Sequence, residues 1–471
     1  MSIAAGARVT LASQWVRLTI QLAGFVVLSR LLTPADFGIV AMVTVSVTIA
    51  TLFADFGLTF VGLQAPTLSQ GEKSGLFVLN VVAGAVGAIV VVLSGPILAI
   101  FYGEPRVVAL AAVLALPLLL TSVAVQFRVE LNRRLAFRAL AVQDVTSAAA
   151  GLIAAVGAAA AGWGYWALAA QVLTQGVVLL VLALVQAGWW PSKPAPLREL
   201  RHFVAFGSSS LLLQLVTLTS RSVDIMMVGR SQGPTELGYY SRASQLITLL
   251  FQQLLSPLTR VLLPRLSAAP DLAALNADLV RAQRVISYPL LAAVSLLAAV
   301  APGAVVVLFG QDWAAAGVLV QILCVGAAFQ AAGHAYYWAA LARAKTGLLL
   351  LAELPGRVVM VGGSVVFASA GAWAVATVMS AAQVLIFVSS STVMPRAGVG
   401  TVNLMKATAR PALVCSMAFM VGYGLSLPLA SAPLMQLLVS LSGWLVAAGT
   451  ASLLVPVVRR DLSSALKAVR G

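Results

Sequence analysis

"SRLLTPADFGIVAM", Ser29–Met42, separates two long apolar runs, and its pattern returns much later as "GRSQGPTELGYY", Gly229–Tyr240. Arg30 matches Arg230, Pro34 matches Pro234, Asp36 matches Glu236 and Gly38 matches Gly238. Each corner is suited to starting a helix. Thr33 or Gly233 stands at the cap, proline takes the first helical position where its missing N–H is not needed, and the acid reaches back to free backbone N–H groups. Arg30 and Arg230 then fall at the end of the preceding helix, where a cation suits the carbonyl terminus. The first corner lies between the first and second apolar runs, the other between the seventh and eighth. A chain that repeats a corner in this register is built twice over.

The runs themselves set the fold class. Of 471 residues 61% are hydrophobic and 9% charged, and the mean hydropathy is +1.01, far from the composition of soluble domains. A helix needs about 20 mostly apolar residues to cross a bilayer. Fourteen such runs are present, at 11–29, 38–62, 77–101, 108–126, 140–161, 166–188, 203–228, 238–263, 285–309, 315–341, 347–370, 372–393, 408–428 and 432–455. They are long and continuous rather than short and alternating, which selects helices over a barrel. A second echo, "GPILAIFYGEP" (Gly95–Pro105) against "APGAVVVLFGQDW" (Ala301–Trp313), ends the third and ninth runs. The sequence therefore predicts an all-α polytopic membrane protein of about fourteen helices. Two parallel six-helix repeats form two lobes around a central cavity, followed by a terminal pair of helices. The boundaries are 1–190 for the first lobe, 191–202 for a cytoplasmic linker, 203–393 for the second lobe, and 394–471 for the last pair and a cytoplasmic tail.

The formal net charge of +15 is explained by placement. With loops assigned alternately to the two sides, one side receives only Arg30, Arg106 and Arg230, while most of the other lysines and arginines collect opposite. This is the positive-inside bias, which puts both termini in the cytoplasm and needs anionic headgroups rather than nucleic acid. Arg17 interrupts the first run and no small-residue cleavage site follows it, so the first helix is expected to be retained. Cys324 and Cys415 fall inside runs as small apolar residues. No metal-ligand spacing, phosphate-cradling glycine loop, nucleotide-binding motif or nucleophile elbow is present, so neither cofactor nor catalysis is expected.

Charges inside the runs are costly and mark candidate sites. Arg17 lies in the first run, Asp55 in the second, Arg221 and Asp224 in the seventh, Arg242 in the eighth, and Glu353 with Arg357 in the eleventh. Asp224 and Arg242 each stand nine residues from Gly233, which gives them one depth on adjacent antiparallel helices. Arg221 is a turn from Asp224. Glu353 and Arg357 are four apart in "AELPGR", where Pro355 and Gly356 are expected to disturb the helix, either by a break beside the pair or by a kink that serves packing. Arg17 has no acid in its own helix. Two readings stay open: the acids neutralise the arginines and pin helices together, or the guanidinium groups hold a phosphate through forked hydrogen bonds in a hydrated cavity. Asp55, Asp224 and Glu353 are the groups available for coupling to an ion. Asp144 and Arg260 lie near span ends and are left outside the expected site, and His334 reads as a packed polar residue.

"LLTPADFGIVAM", "FADFGL", "FRVELNRRLAFR" (Phe127–Arg138), "DIMMVGRSQGPTELGYYSRASQL" (Asp224–Leu246) and "LLPRLS" (Leu262–Ser267) resemble the polysaccharide-transport branch of the multidrug/oligosaccharidyl-lipid/polysaccharide (MOP) superfamily, across at least residues 29–267. The resemblance implies a flippase of the bacterial cytoplasmic membrane. Its cargo would be undecaprenyl-pyrophosphate-linked oligosaccharide repeat units, moved to the periplasmic leaflet by alternating access for O-antigen, capsule or exopolysaccharide export. Membrane lipids, a polysaccharide polymerase and other export proteins are the partners it implies, and Arg17, Arg221, Arg242 and Arg357 become candidates for the pyrophosphate. The alternative within the superfamily is a cation-coupled multidrug antiporter, which would use cavity acids. Proton, sodium and membrane-potential coupling all remain open.

Overall fold

The computed structural model of the protein describes residues 3–55 and 68–454, with the side chains of 3–5, 7, 55, 197–221, 256, 257, 260 and 454 outside the description. Among the described residues there is helix and turn and no strand. The helices are α1 (Ile3–Leu31), α2 (Pro34–Asp55), α3 (Gln70–Tyr102), α4 (Arg106–Arg133), α5 (Phe137–Ala160), α6 (Trp166–Ala187), α7 (Leu197–Ser267), α8 (Leu272–Phe309), α9 (Ala314–Ala342), α10 (Thr346–Phe367), α11 (Ala372–Val393), α12 (Thr401–Ser426) and α13 (Pro433–Leu454). Among the described residues twelve candidate spans are found, in α1–α6 and α8–α13, each long and apolar enough to cross a membrane. The protein is a multi-span membrane protein.

The chain forms two compact units, Met1–Gly238 and Tyr239–Gly471. In the first, α1 packs on α5, α5 on α6, α6 on α4, α4 on α3 and α3 on α2. In the second, α8 packs on α9, α9 on α11 and α11 on α10, while α12 and α13 pack on α8 and on each other. The neighbour order α3-α4-α6-α5 thus recurs as α8-α9-α11-α10. The backbone recurs with it. After α4, Leu135 takes a left-handed φ of 55°, and after α9, Ala344 takes 50°. Leu135 and Ala136 donate back to Asn132 and Leu131 just as Ala344 and Lys345 donate to Leu341 and Ala340, the paired bonds of a left-handed helix cap.

Helix ends depart from the apolar runs for a local reason. α3 begins at Gln70, ahead of its run, because Ser69 and Glu72 form a capping box in which Glu72 N donates to Ser69 Oγ at 3.2 Å and Ser69 N to Glu72 Oε2 at 2.8 Å. α8 begins at Leu272 because the Asp271 carboxylate accepts the Ala274 N–H at 2.7 Å. The seventh and eighth runs, expected as spans joined by a loop over 229–237, are helical up to and beyond Gly233 alone, at φ 75° and ψ −173°. Leu237 packs against Gly229. Eight residues of straight helix rise about 12 Å, so the contact requires the chain to fold back at Gly233, in a conformation open to glycine. Of the two disturbances expected in α10 the break is absent, since the helix runs through Pro355 from Thr346 to Phe367. The expected extension of the second span to residue 62 lies outside the described residues.

Candidate functional site

Three groups of charges are set by these helices. The first is at the repeated corner. Thr33 caps α2, with its N–H and hydroxyl donating to Asp36 Oδ2 at 2.9 and 2.7 Å. Pro34 takes the first helical position. Arg230 stacks over the Phe101 ring, 4.9 Å from its centroid, and donates to the Phe101 carbonyl in the last turn of α3. A guanidinium from the second corner thereby serves the carbonyl end of a helix next to the first. Close by, Arg106 at the start of α4 donates to both oxygens of Glu104 in the preceding turn, at 2.7 and 2.8 Å, and those bonds hold the Glu104 carboxyl below the usual range. Arg30 is in the last turn of α1 and exposed, and Glu236 and Gly238 open the second arm of α7.

The second group is within the spans. Arg17 is exposed on α1, inside a stretch long and apolar enough to cross a membrane, and makes no hydrogen bond or ion pair among the described residues. Asp224 in the first unit and Arg242 in the second are both buried, and Arg242 Nη1 donates to Gln245 Oε1 at 2.9 Å. Arg357 is neutralised within its own helix: its Nε and Nη2 donate to Glu353 Oε2 at 3.1 and 2.5 Å. Gly356 beside the pair lets α10 sit directly on α11, since a Cβ there would come within 2.7 Å of the Ala382 carbonyl. The Ser389 hydroxyl of α11 donates to the Ala352 carbonyl one turn before Gly356. The side chains of Asp55 and Arg221 lie outside the described residues.

The third group escaped sequence reasoning. Glu130, in "FRVELNRRLAFR", is 5% exposed and accepts from Lys73 Nζ at 2.8 Å and Arg134 Nε at 2.7 Å, while Arg134 Nη1 donates to the Ala187 carbonyl at 3.0 Å. One acid thus ties α3, α4 and the end of α6. Phe77, Phe127 and Trp189 pack edge to face beside it, with centroids 5.3 to 6.2 Å apart. Nearby, Asp144 of α5 takes Arg128 of α4 at 2.9 Å. Asp144 stands nine residues after the left-handed turn at Leu135, and Glu353 nine after that at Ala344. They occupy matching places. The register of the two turns was the signal that could have revealed this. No group of three or more metal-ligating side chains is found among the described residues.

The described residues form a polytopic helical body with charges held in and at the ends of its spans. Its fold is that of the lipid II flippase MurJ in an inward closed conformation, with a TM-score of 0.72 at 11% identity over 95% of this chain and 99% of that one. An inward-facing multidrug resistance MATE family transporter of the MOP superfamily matches with a TM-score of 0.63 at 14% identity, over 85% of this chain and 99% of that one. At these identities the likeness is one of fold. The chain belongs to the family described as polysaccharide biosynthesis proteins, whose profile matches residues 27–317. Teichuronic acid biosynthesis protein TuaB of Bacillus subtilis (strain 168) is 24% identical over 380 residues, 74% of each chain. The family expected from the corner motifs and the family matched agree.

Proposed function

We propose that the protein is a flippase that carries undecaprenyl-pyrophosphate-linked oligosaccharide repeat units from the cytoplasmic to the outer leaflet of a bacterial cytoplasmic membrane. In this reading residues 1–190 and 203–393 are two six-helix lobes joined by 191–202, residues 394–471 add a helix pair and tail, and a cavity opens alternately to each side. The observation that carries it is Arg17. An arginine at the centre of a span costs about 2.5 to 3.5 kcal/mol on insertion scales, and this one has no acid to offset that cost among the described residues. A phosphate is the ligand a bare guanidinium suits. Family membership and the MurJ-like fold support the same cargo class. Arg242, buried beside Gln245, is the second phosphate-binding group in this reading, and Arg221 a third, whereas Arg357 serves Glu353.

The test is transport in sealed, oriented vesicles holding the purified protein and a short-chain undecaprenyl-pyrophosphate oligosaccharide. Wild type moves the glycan, Arg17→Ala and Arg242→Ala slow it at least tenfold without lowering the unfolding temperature, and Arg17→Lys recovers only part of the rate. A glycan that stays in place while an amphipathic cation is expelled against a proton or sodium gradient replaces this reading with a drug antiporter.

A further inference from the structure

Capping explains the prolines and acids of the repeated corner, but not its glycines. Gly38 and Gly238 are buried in the bodies of helices, and neither has the left-handed φ that would itself require glycine. What they lack is room. A Cβ built on Gly38 would overlap the carbonyl oxygen of Pro234, and one built on Gly238 would overlap the carbonyl oxygen of Pro34. All four residues lie in the first compact unit.

The contact is reciprocal: the first residue of one corner helix meets the fifth of the other, and the reverse. Such a pattern is the mark of a two-fold relation between matched surfaces. Each proline carbonyl opens a helix and faces the Cα of the opposing glycine, the geometry of a Cα–H···O contact. The atoms nearest each glycine are backbone atoms of the facing proline, so the closest point of the contact has no interlocked side chains to repack. Polar groups flank the contact. The Thr33–Asp36 cap stands on one side, with Gly164 close against the Asp36 carboxylate, and Arg230 anchors the other corner to the end of α3.

The corner loops carry cations Arg30 and Arg230, on the side that receives few, opposite the lysine- and arginine-rich loops. We propose that this proline–glycine clasp is the outer gate of the transporter, shut in the conformation described here and parted once in each cycle to release the glycan. The gate rests on the transport reading above, so its test includes a readout that needs no substrate.

Ala35 and Thr235 each follow a clasp proline, the first half-buried and the second exposed. In a Cys324→Ser/Cys415→Ser background, Ala35→Cys and Thr235→Cys are joined by a short bis-maleimide in oriented vesicles. The expected result is efficient cross-linking and at least a tenfold loss of transport, while capping each thiol singly with N-ethylmaleimide leaves transport intact. A cross-linked protein that transports at the control rate makes the contact a static seam and overturns the gate. Without substrate, opening is read by an impermeant maleimide added outside to Leu237→Cys, a position that is fully buried. Gly38→Leu and Gly238→Leu are expected to speed that labelling severalfold, and unchanged labelling overturns the gate independently. If wild type moves no lipid-linked glycan and the labelling shift persists, the cargo is wrong and the gate stands.

Discussion

The hairpins α4–α5 and α9–α10 turn with one backbone conformation and are held in place by different chemistry. Five residues before the left-handed turn the first carries Glu130, which binds Lys73 and Arg134, while the second carries Ala339, fully buried and without polar atoms in its side chain. Arg343, the counterpart of Arg134, is exposed. The second unit instead relies on Gln283 of α8. Its amide nitrogen lies 3.0 to 3.2 Å from acceptors on Ser287, Ala331, Ala332 and Thr408, and its oxygen accepts the Ala335 N–H at 3.2 Å. One neutral side chain thereby ties α8 to α9 and α12. The same order of helices is compatible with ionic or neutral fastening, so the fastening is separable from the fold. It governs what happens when a partner is lost.

The largest expected effect follows from the ionic side of that contrast. Glu130→Ala leaves Lys73 and Arg134 facing a site that is 5% exposed, and breaking a buried ion pair from one side costs about 3 to 5 kcal/mol. The unfolding temperature of the detergent-solubilised protein should fall accordingly. Glu130→Leu combined with Lys73→Met should cost less than Glu130→Ala alone, because only the half-exposed Arg134 is then left without its acid. A double variant less stable than the single one would mean that the pair contributes attraction beyond mutual neutralisation.

Gln283→Leu should cost less, about 1 to 3 kcal/mol, the penalty for leaving buried backbone carbonyls and an N–H without their partner. No charge is stranded. The ranking is the check: if Gln283→Leu proves more damaging than Glu130→Ala, the ionic and neutral fastenings are not the distinction that matters, and the second unit depends on a single residue more than the first does.

The sequence foretold the helices better than their fastenings. Apolar runs mark spans because the bilayer core admits little else, and the corner motif marked the repeated turn because proline and a capping acid have local meaning. Helix ends were misjudged where polar caps such as Ser69–Glu72 and Asp271 extend a helix beyond its apolar part. The fold-back at Gly233 looked like a loop, since one residue of special conformation leaves almost no compositional trace. Glu353 and Arg357 were legible as a pair because they are four apart on one helix. Arg128 with Asp144, and Lys73 with Glu130, were not, because pairing across helices depends on the rotation of each about its axis. That rotation is set by packing, not by local sequence.

The smallest predicted effect probes what the two hairpins share. Leu135 and Ala344 both occupy the left-handed position after a helix, where a side chain carries a cost of about 1 to 2 kcal/mol that glycine avoids. After α5 the chain already places Gly162 at such a turn, with φ 79°. Leu135 is exposed, as is Ala344, so neither substitution removes a buried contact. Against the relief stands the greater freedom glycine gives the unfolded chain, worth about 0.5 to 1 kcal/mol. Leu135→Gly and Ala344→Gly should therefore each stabilise the protein by about 0.5 to 1 kcal/mol, and the two gains should add, since neither turn shares a partner with the other. Equal gains mean that the turns are set by their own backbone. A gain at Ala344 alone would mean that the Glu130 network already holds the first hairpin so firmly that relief of its turn no longer registers.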